Sequence, residues 1–463
     1  MQSTPNTDAP HSGHESLLAD LAAFSTALRL EQIPPEVLHQ AKLTIIDTVA
    51  CMAAGIKDDG AAALIEAETR RSRIPEASVI GLERHVDMQA AIRINGYLGD
   101  IFELNDLTSG HAGIAIVSTA LAVAEALDRS GRDLLEAIVS GIEVTSRVYS
   151  AYYPHMKSYE ETGITPPGIP STIGAAATAA RLFRFDETRT AHAMEIAAAL
   201  AGWCPAEVIF GQGGQVKPML FGAWPGSVAV QGALYAQAGM DGPGQLLESR
   251  IGLYATLAHR FDVQVVTEPG RWYLAHPRRK LHACCGYIHS ALDAVVALRA
   301  HGVDVCGAAA IEVSMPQYII PGVSKAGLPR TPTEARFHAE YCLALAMSGV
   351  DAITPEHSSL CHRYLPAMES LMARIRIVAD ASLSHYHQSV VRGLDADGRE
   401  LFRQKVLAPK GSPDNPMTDA DVRDKFRTLA APCISSERIA WFLEQIDALE
   451  QAQDCDWIIR SFR

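Results

Sequence analysis

The chain carries almost none of the compact motifs that announce an enzyme, so any chemistry has to come from individual side chains. Residues 211–218 (GQGGQVKP) come nearest. A glycine-rich run can approach a phosphate closely, but the spacing G-x-G-x-x-G is not met and no convincing strand precedes it, so no dinucleotide is expected there. Neither a P-loop nor a G-x-S-x-G elbow is present. His282, Cys284, Cys285 and His289 lie close together. Zinc sites usually separate their cysteines by two to four residues, and adjacent cysteines cannot easily ligate one ion, so neither a metal nor a cofactor is expected. Acid–base chemistry by side chains is what remains. Lys217 follows the glycine-rich run and precedes a proline. It could neutralise a carboxylate as a point charge, or be a surface lysine or half of a structural ion pair.

The totals bound what surrounds such residues. A chain of 463 residues allows one large and one smaller domain, or two to three domains. Hydrophobic residues make up 48% and charged residues 20%, which suits a globular protein with a sizeable core. Aromatics are only 6% and alanine is abundant, which favours closely packed helices. The net charge of −13 repels phosphate backbones, so no nucleic-acid partner is expected, and an anionic substrate needs a locally positive pocket. Nine scattered cysteines fit free thiols in a reducing compartment. Residues 1–14 are polar, lack an apolar core and read as a disordered leader. No uncharged apolar run approaches the length of a membrane span. A cytoplasmic protein without membrane contact is expected.

The elements that must position the chemistry change character along the chain. Residues 15–265 are mostly helical in pattern, with apolar residues at three- and four-residue steps over 37–55, 116–127, 134–148, 172–182 and 190–200. Residues 174–180 are almost entirely Ala and Gly, which allows close helix–helix approach and predicts a helix buried on several sides. Residues 163–170 (GITPPGIP) and 211–218 read as loops. Beyond 265, residues 309–315, 372–379 and 389–394 alternate like strands, with a turn at 395–398 and helices near 288–300 and 334–345. The pattern from 419 to 449 is helical again. The fold class is therefore mainly α with an α+β second domain. An all-helical domain of residues 15–265 plus 400–463 carries a smaller α+β lid of residues 266–399.

Several stretches together resemble one family. They are LTIIDTVACMAAG at 43–55, NGYLGDIFELND at 95–106, HAGIAIVSTALAVAEA at 111–126, TPPGIPSTIGAAATAARL at 165–182 and VKP at 216–218. KLHACCGYIHSALDAV at 280–295, then PQYIIPG and EARFHAEYCLALA at 316–322 and 334–346, complete the series. Each is weak alone, but they occur in the order in which the MmgE/PrpD family carries similar stretches. The resemblance implies a large helical domain, a smaller α+β lid, an active site between them and a homodimer. It also implies proton removal or delivery at a carbon next to a carboxylate or imine. Such a step needs a base, an acid and a positive sink for an enolate-like anion.

The same resemblance implies site residues. Lys217 and Lys280 match the family's active-site lysines, His111 its histidine, and Tyr318 a tyrosine able to donate a proton or hydrogen bond. His111 and Tyr318 could equally cap a helix or pack. Asp106 matches a family carboxylate and could orient His111, act as a base or cap a helix. Arg336 could clamp a carboxylate or support the lid through an ion pair. Departures from the family pattern are Asp100 for His, Glu103 for Asp, Asn105 for the first Asp of a pair and Leu107 for Thr. Thr165 and Cys285 stand where the decarboxylases of the family place histidines. Cys285 could be a base if its pKa were lowered, or a buried inert thiol. The function expected is a cofactor-independent, dehydratase-like lyase acting on a small di- or tricarboxylic acid. His111 transfers the proton, Lys217 and Lys280 hold carboxylates, Tyr318 assists the leaving group, and Thr165, Cys285 and Arg336 bind substrate. The alternatives are an epimerase resembling iminodisuccinate epimerase, a decarboxylase of the cis-aconitate type, and a non-catalytic carboxylate-binding member.

Overall fold

A computed structural model describes residues 16–58, 60–210 and 214–463. The expected leader, residues 1–14, and residues 211–213 of the glycine-rich run lie outside the described residues. Helices dominate up to about residue 240. Leu17–Ala27, Pro35–Gly55, Met88–Asp100, Ala112–Ala126, Gly131–Tyr152, Gly168–Leu182, Glu187–Leu200 and Trp224–Gln237 build the core. Their starts follow ordinary capping chemistry. Ser130 and Asp133 form a reciprocal box at the start of Gly131–Tyr152, and Asp186 accepts from the Arg189 amide before Glu187–Leu200.

The Ala/Gly run of the Gly168–Leu182 helix does what its composition predicts. Every residue from Pro170 to Ala180 is buried. Where this helix crosses Gly131–Tyr152, a Cβ on Gly174 would sit 2.3 Å from the Gly141 carbonyl oxygen, and one on Gly141 would sit 2.0 Å from Thr178 Oγ1. The backbones therefore meet without intervening side chains. The helix starts at Gly168, so it reaches back into the stretch expected to be loop. Pro166 and Pro167 precede it, where a missing amide hydrogen costs nothing.

A second glycine crossing bears directly on the site. Gly96 of Met88–Asp100 meets Gly222, in a single wide turn of π-helix at Met219–Ala223 just after Lys217 and Pro218. A Cβ on Gly96 would stand 2.1 Å from the Gly222 carbonyl oxygen, and one on Gly222 would stand 2.2 Å from that of Gly96. Neither contact involves a flexible side chain that could swing away. Gly96→Ala is therefore expected to destabilise the protein by about 1–3 kcal/mol through overpacking. A lowered urea midpoint at unchanged slope is the measurement that checks it.

After residue 265 the chain builds a four-stranded sheet in the order Ile375–Ala379, Ala310–Met315, Ser389–Leu394, Glu400–Val406. The first pair is parallel and the others antiparallel. Glu400–Val406 is hydrogen-bonded to Ser389–Leu394, so the sheet continues past residue 399, where the sequence reading places the return to the helical part. The expected helix over 334–345 is two helices, Pro332–Arg336 and Ala339–Met347, with His338 capping the second through the Tyr341 amide. Asp419–Ala430 then packs back on Pro35–Gly55. All nine cysteines are free thiols. Among the described residues no helix is long and apolar enough to cross a membrane.

Candidate active site

The loop that joins Met88–Asp100 to Ala112–Ala126 is held in an unusual conformation. Glu103, Ser109, Gly110 and His111 all have positive φ, at 55°, 46°, 77° and 74°. Non-glycine residues in this region cost of order 1–3 kcal/mol each and persist only where surrounding contacts hold them. Those contacts are visible. Asp106 Oδ1 accepts from the Gly113 amide at 3.0 Å, Asn105 Nδ2 lies 2.9 Å from His111 Nδ1, and Ser109 Oγ donates to Ser146 Oγ at 2.8 Å. The Leu107 amide donates to the Arg278 carbonyl at 2.7 Å, and the Arg278 amide donates to Thr108 Oγ1 at 3.1 Å. From the far end of the chain, Lys425 donates to the Leu104 and Lys280 carbonyls at 2.7 and 3.0 Å and pairs with Asp47 at 2.7 Å.

The lysines singled out from the sequence meet here, and both are already engaged. Lys217 Nζ lies 2.9 Å from both oxygens of Asp100 and also pairs with Glu103. Lys280 Nζ donates to the Glu103 carbonyl at 2.8 Å and to its Oε2 at 2.7 Å. With all four side chains ionised, two carboxylates cancel two ammoniums. In that state the lysines present no unpaired positive charge. The departures Asp100 and Glu103 are the partners that neutralise them. Phe221 places its ring 4.8 Å from Lys217 Nζ and 5.5 Å from the His111 ring, closing one side.

Burial sets the protonation states. It pushes Asp100 up to about 7, against the pull of Lys217. It pulls Glu103 upward too, but Lys217 and Lys280 together outweigh it and hold that carboxyl below its usual range. Lys217 loses some affinity for its proton to burial and regains more from Asp100 and Glu103, so it stays an ammonium. Burial first, then the two ammoniums, holds His111 well below the ordinary histidine value, so its imidazole is neutral. Asn105 occupies Nδ1, which leaves Nε2 for a substrate. The amide's orientation decides the ring's role. An amide oxygen on Nδ1–H makes Nε2 a base, and an amide N–H on Nδ1 makes Nε2–H a donor. Burial pushes Asp106 up to about 6.

A cavity opens beside this cluster. His111, Lys217, Thr165 and Cys285 line it, so four of the eight residues picked from the sequence converge. The buried Thr165 hydroxyl has no hydrogen-bond partner among the described residues. Burial drives the Cys285 thiol up to about 12, which makes it a neutral group and removes the thiolate that a cysteine base needs. Lys280 stands behind Glu103 and is fully buried. Asp106 lies beneath the loop as the partner of the first turn of Ala112–Ala126. Tyr318 does not line the cavity. It is 38% exposed, and its Oη accepts from the Tyr386 amide at 3.0 Å, so it positions Tyr386, which does line the cavity. Arg336 lines a larger neighbouring cavity across Lys217 and Glu103. There its Nε donates to Ser358 Oγ at 3.0 Å and its guanidinium lies 3.7 Å from Asp58.

Other lining residues escape sequence reasoning. Arg278 and the tyrosines Tyr149, Tyr153, Tyr159, Tyr287 and Tyr386 also line the cavity. The only signals were the basic run HPRRK at 276–280 and the tyrosine-rich stretch at 149–159. His282 and His289, part of the rejected metal cluster, are buried ring to ring at 5.0 Å; His282 pairs with Asp293 and His289 faces the Cys284 carbonyl.

Comparison with known proteins agrees with this architecture. The model for the MmgE/PrpD N-terminal domain matches residues 19–266, and that for the MmgE/PrpD C-terminal domain matches residues 282–451. The chain is 27% identical to the cis-aconitate decarboxylase-like protein oryM of Aspergillus oryzae, over 97% of each chain. It is 23% identical to the cis-aconitate decarboxylase of Homo sapiens, over 94% of this chain and 92% of that protein. It is 25% identical to the cis-aconitate decarboxylase of Aspergillus terreus, over 63% of this chain and 62% of that protein.

Proposed function

The chain belongs to the MmgE/PrpD family, and from that premise we propose that it is a lyase that breaks a bond β to a carboxylate, using side chains alone for proton transfer. One observation carries the reading: a neutral, buried histidine shares a cavity wall with an ammonium that is locked between two carboxylates. His111 Nε2 exchanges the proton with the substrate or its leaving group. Negative charge developing on the substrate oxygen falls on Lys217, which is held in place before the reaction and so needs no reorganisation. Glu103 and Lys280 fix Lys217 from behind. Asp100 lies 3.8 Å from His111 Nδ1, close enough for its negative charge to steady the imidazolium that forms.

The names of the relatives favour loss of a carboxyl group as the bond-breaking step, and loss of water passes through the same kind of anion. Epimerisation has less support, because it needs a second base on the opposite face and the Cys285 thiol is neutral.

Proton NMR in D2O tests the reading with a panel of citrate, 2-methylcitrate, cis-aconitate and iminodisuccinate, and with Lys217→Ala as control. New vinyl signals, or loss of existing ones, that disappear with the control are expected. If an α-proton signal is lost with the carbon skeleton unchanged, the protein is an epimerase. If no compound reacts or exchanges, and no carboxylic acid bearing an aryl or alkyl substituent does either, the protein is a binding member of the family and the lyase reading falls.

A further inference from the structure

Among the described residues, one cation on the cavity wall, Arg278, has no carboxylate within ion-pair distance. Arg278 donates from Nη1 to Tyr386 Oη at 3.0 Å, and its guanidinium lies 6.0 Å from the centre of the Tyr386 ring. The groups that act on its charge are the phenols of Tyr386, Tyr149 and Tyr153. Lys217, which lines the same cavity, is held by Asp100 and Glu103. With Asp100 ionised, the uncompensated positive charge among the described residues lining the cavity is that of Arg278, and it sits among aromatic rings.

The rings lie in two contacting groups that line the same cavity. Tyr149 and Tyr153 stack at 4.5 Å, Tyr287 and Tyr386 approach at 5.4 Å, and Tyr159 Oη meets Tyr287 Oη at 2.9 Å. Burial keeps the Tyr149, Tyr153 and Tyr287 hydroxyls un-ionised. Thr165 and Cys285 extend the same uncharged wall. A tricarboxylate placed here would bring three negative charges to one free cation. Each further carboxylate would lose water without gaining a partner, which is expensive in a buried site.

We propose that the substrate is a carboxylic acid bearing an aryl or alkyl substituent, with one carboxylate on Arg278 and the substituent on the tyrosine wall. Arg278 suits the first task because a guanidinium can grip a carboxylate through two parallel hydrogen bonds. Flat aromatic faces suit the second, since an apolar group packed on them leaves no polar atom unpaired. This inference rests on the lyase reading for what happens after binding, but not for binding itself.

Isothermal titration calorimetry of the full chain with succinate, phenylsuccinate and citrate tests it. Phenylsuccinate is expected to bind about tenfold or more tighter than succinate, as burial of a phenyl ring predicts, and citrate weaker than phenylsuccinate. Arg278→Met is expected to weaken phenylsuccinate by about tenfold or more, with its melting temperature recorded alongside. The wild-type comparison stands whether or not that variant folds. Phenylsuccinate binding no tighter than succinate, or no binding of either, overturns the inference, as does a folded Arg278→Met protein of unchanged affinity. Because these are equilibrium measurements, conversion of cis-aconitate in D2O together with equal affinity for succinate and phenylsuccinate removes this inference and leaves the lyase reading intact. Tight phenylsuccinate binding without any turnover does the reverse.

Discussion

Lys217→Met is expected to abolish turnover and to unfold the site's charge balance at the same time. Removing the ammonium that meets developing charge should lower kcat by about 10³-fold. It also leaves Asp100 and Glu103 buried side by side without their shared partner, and breaking a buried pair in this way costs about 3–5 kcal/mol. The pH dependence separates this cause from simple loss of packing. In the wild type the lysines hold Glu103 below its ordinary 4.5, a contribution present above that value and lost as pH falls through the depressed one. In the variant Glu103 keeps Lys280, but Asp100 loses its ammonium and is raised further above its unfolded value, so the folded state keeps a proton that the unfolded chain releases. Its stability then falls as pH rises from about 4 through the raised value. Unfolding midpoints measured at pH 5 and pH 8 should therefore show a larger gap to wild type at pH 8. An equal gap at both would assign the loss to packing.

His111→Asn should separate activity from stability. The residue has φ 74°, a conformation that asparagine adopts more readily than most side chains. The fold should lose no more than about 1 kcal/mol, whereas removing the proton-transfer group should lower kcat by about 10²–10⁴-fold. A pH profile of the wild type bears on the same residue. His111 stays neutral well into the acid range, so an acid limb near 7 belongs to Asp100 and survives the substitution in whatever residual activity remains. A limb near 7 that vanishes in His111→Asn would transfer that titration to the histidine.

Local features of this fold were legible because local physics determines them. The Ala/Gly run at 174–180 predicts a helix buried on several sides, and alternation at 309–315 and 389–394 predicts strands, which the structure pairs with each other. Glu400–Val406 was missed because it is an edge strand whose side chains are mostly half-buried or exposed, so charged residues interrupt its apolar pattern. In the site, ordered motif matches brought His111, Lys217, Thr165 and Cys285 to one cavity. The electrostatics were out of reach. Lys217 finds Asp100 across 117 residues, and Lys280 finds Glu103 across 177. Whether a lysine is free or already neutralised is decided by such pairings, which no spacing rule encodes. The tyrosine wall was hidden for the same reason, since its rings come from widely separated stretches at 149–159, 287 and 386.

The contact that Lys425 makes with the carbonyls of Leu104 and Lys280 also sets a timetable. Proteins are built from the N-terminus at about 5–20 residues per second, so Lys425 leaves the ribosome roughly 7–29 s after Lys280, which lies 145 residues earlier. Late in that interval, once Tyr386 has been added, every residue placed at the cavity exists, but the loop with four positive-φ residues lacks one of the anchors that hold it in its strained shape. A chain cut short just before residue 419 would contain the whole cavity in sequence and none of this clasp, and a fragment carrying 419–430 supplied separately has a defined socket to enter.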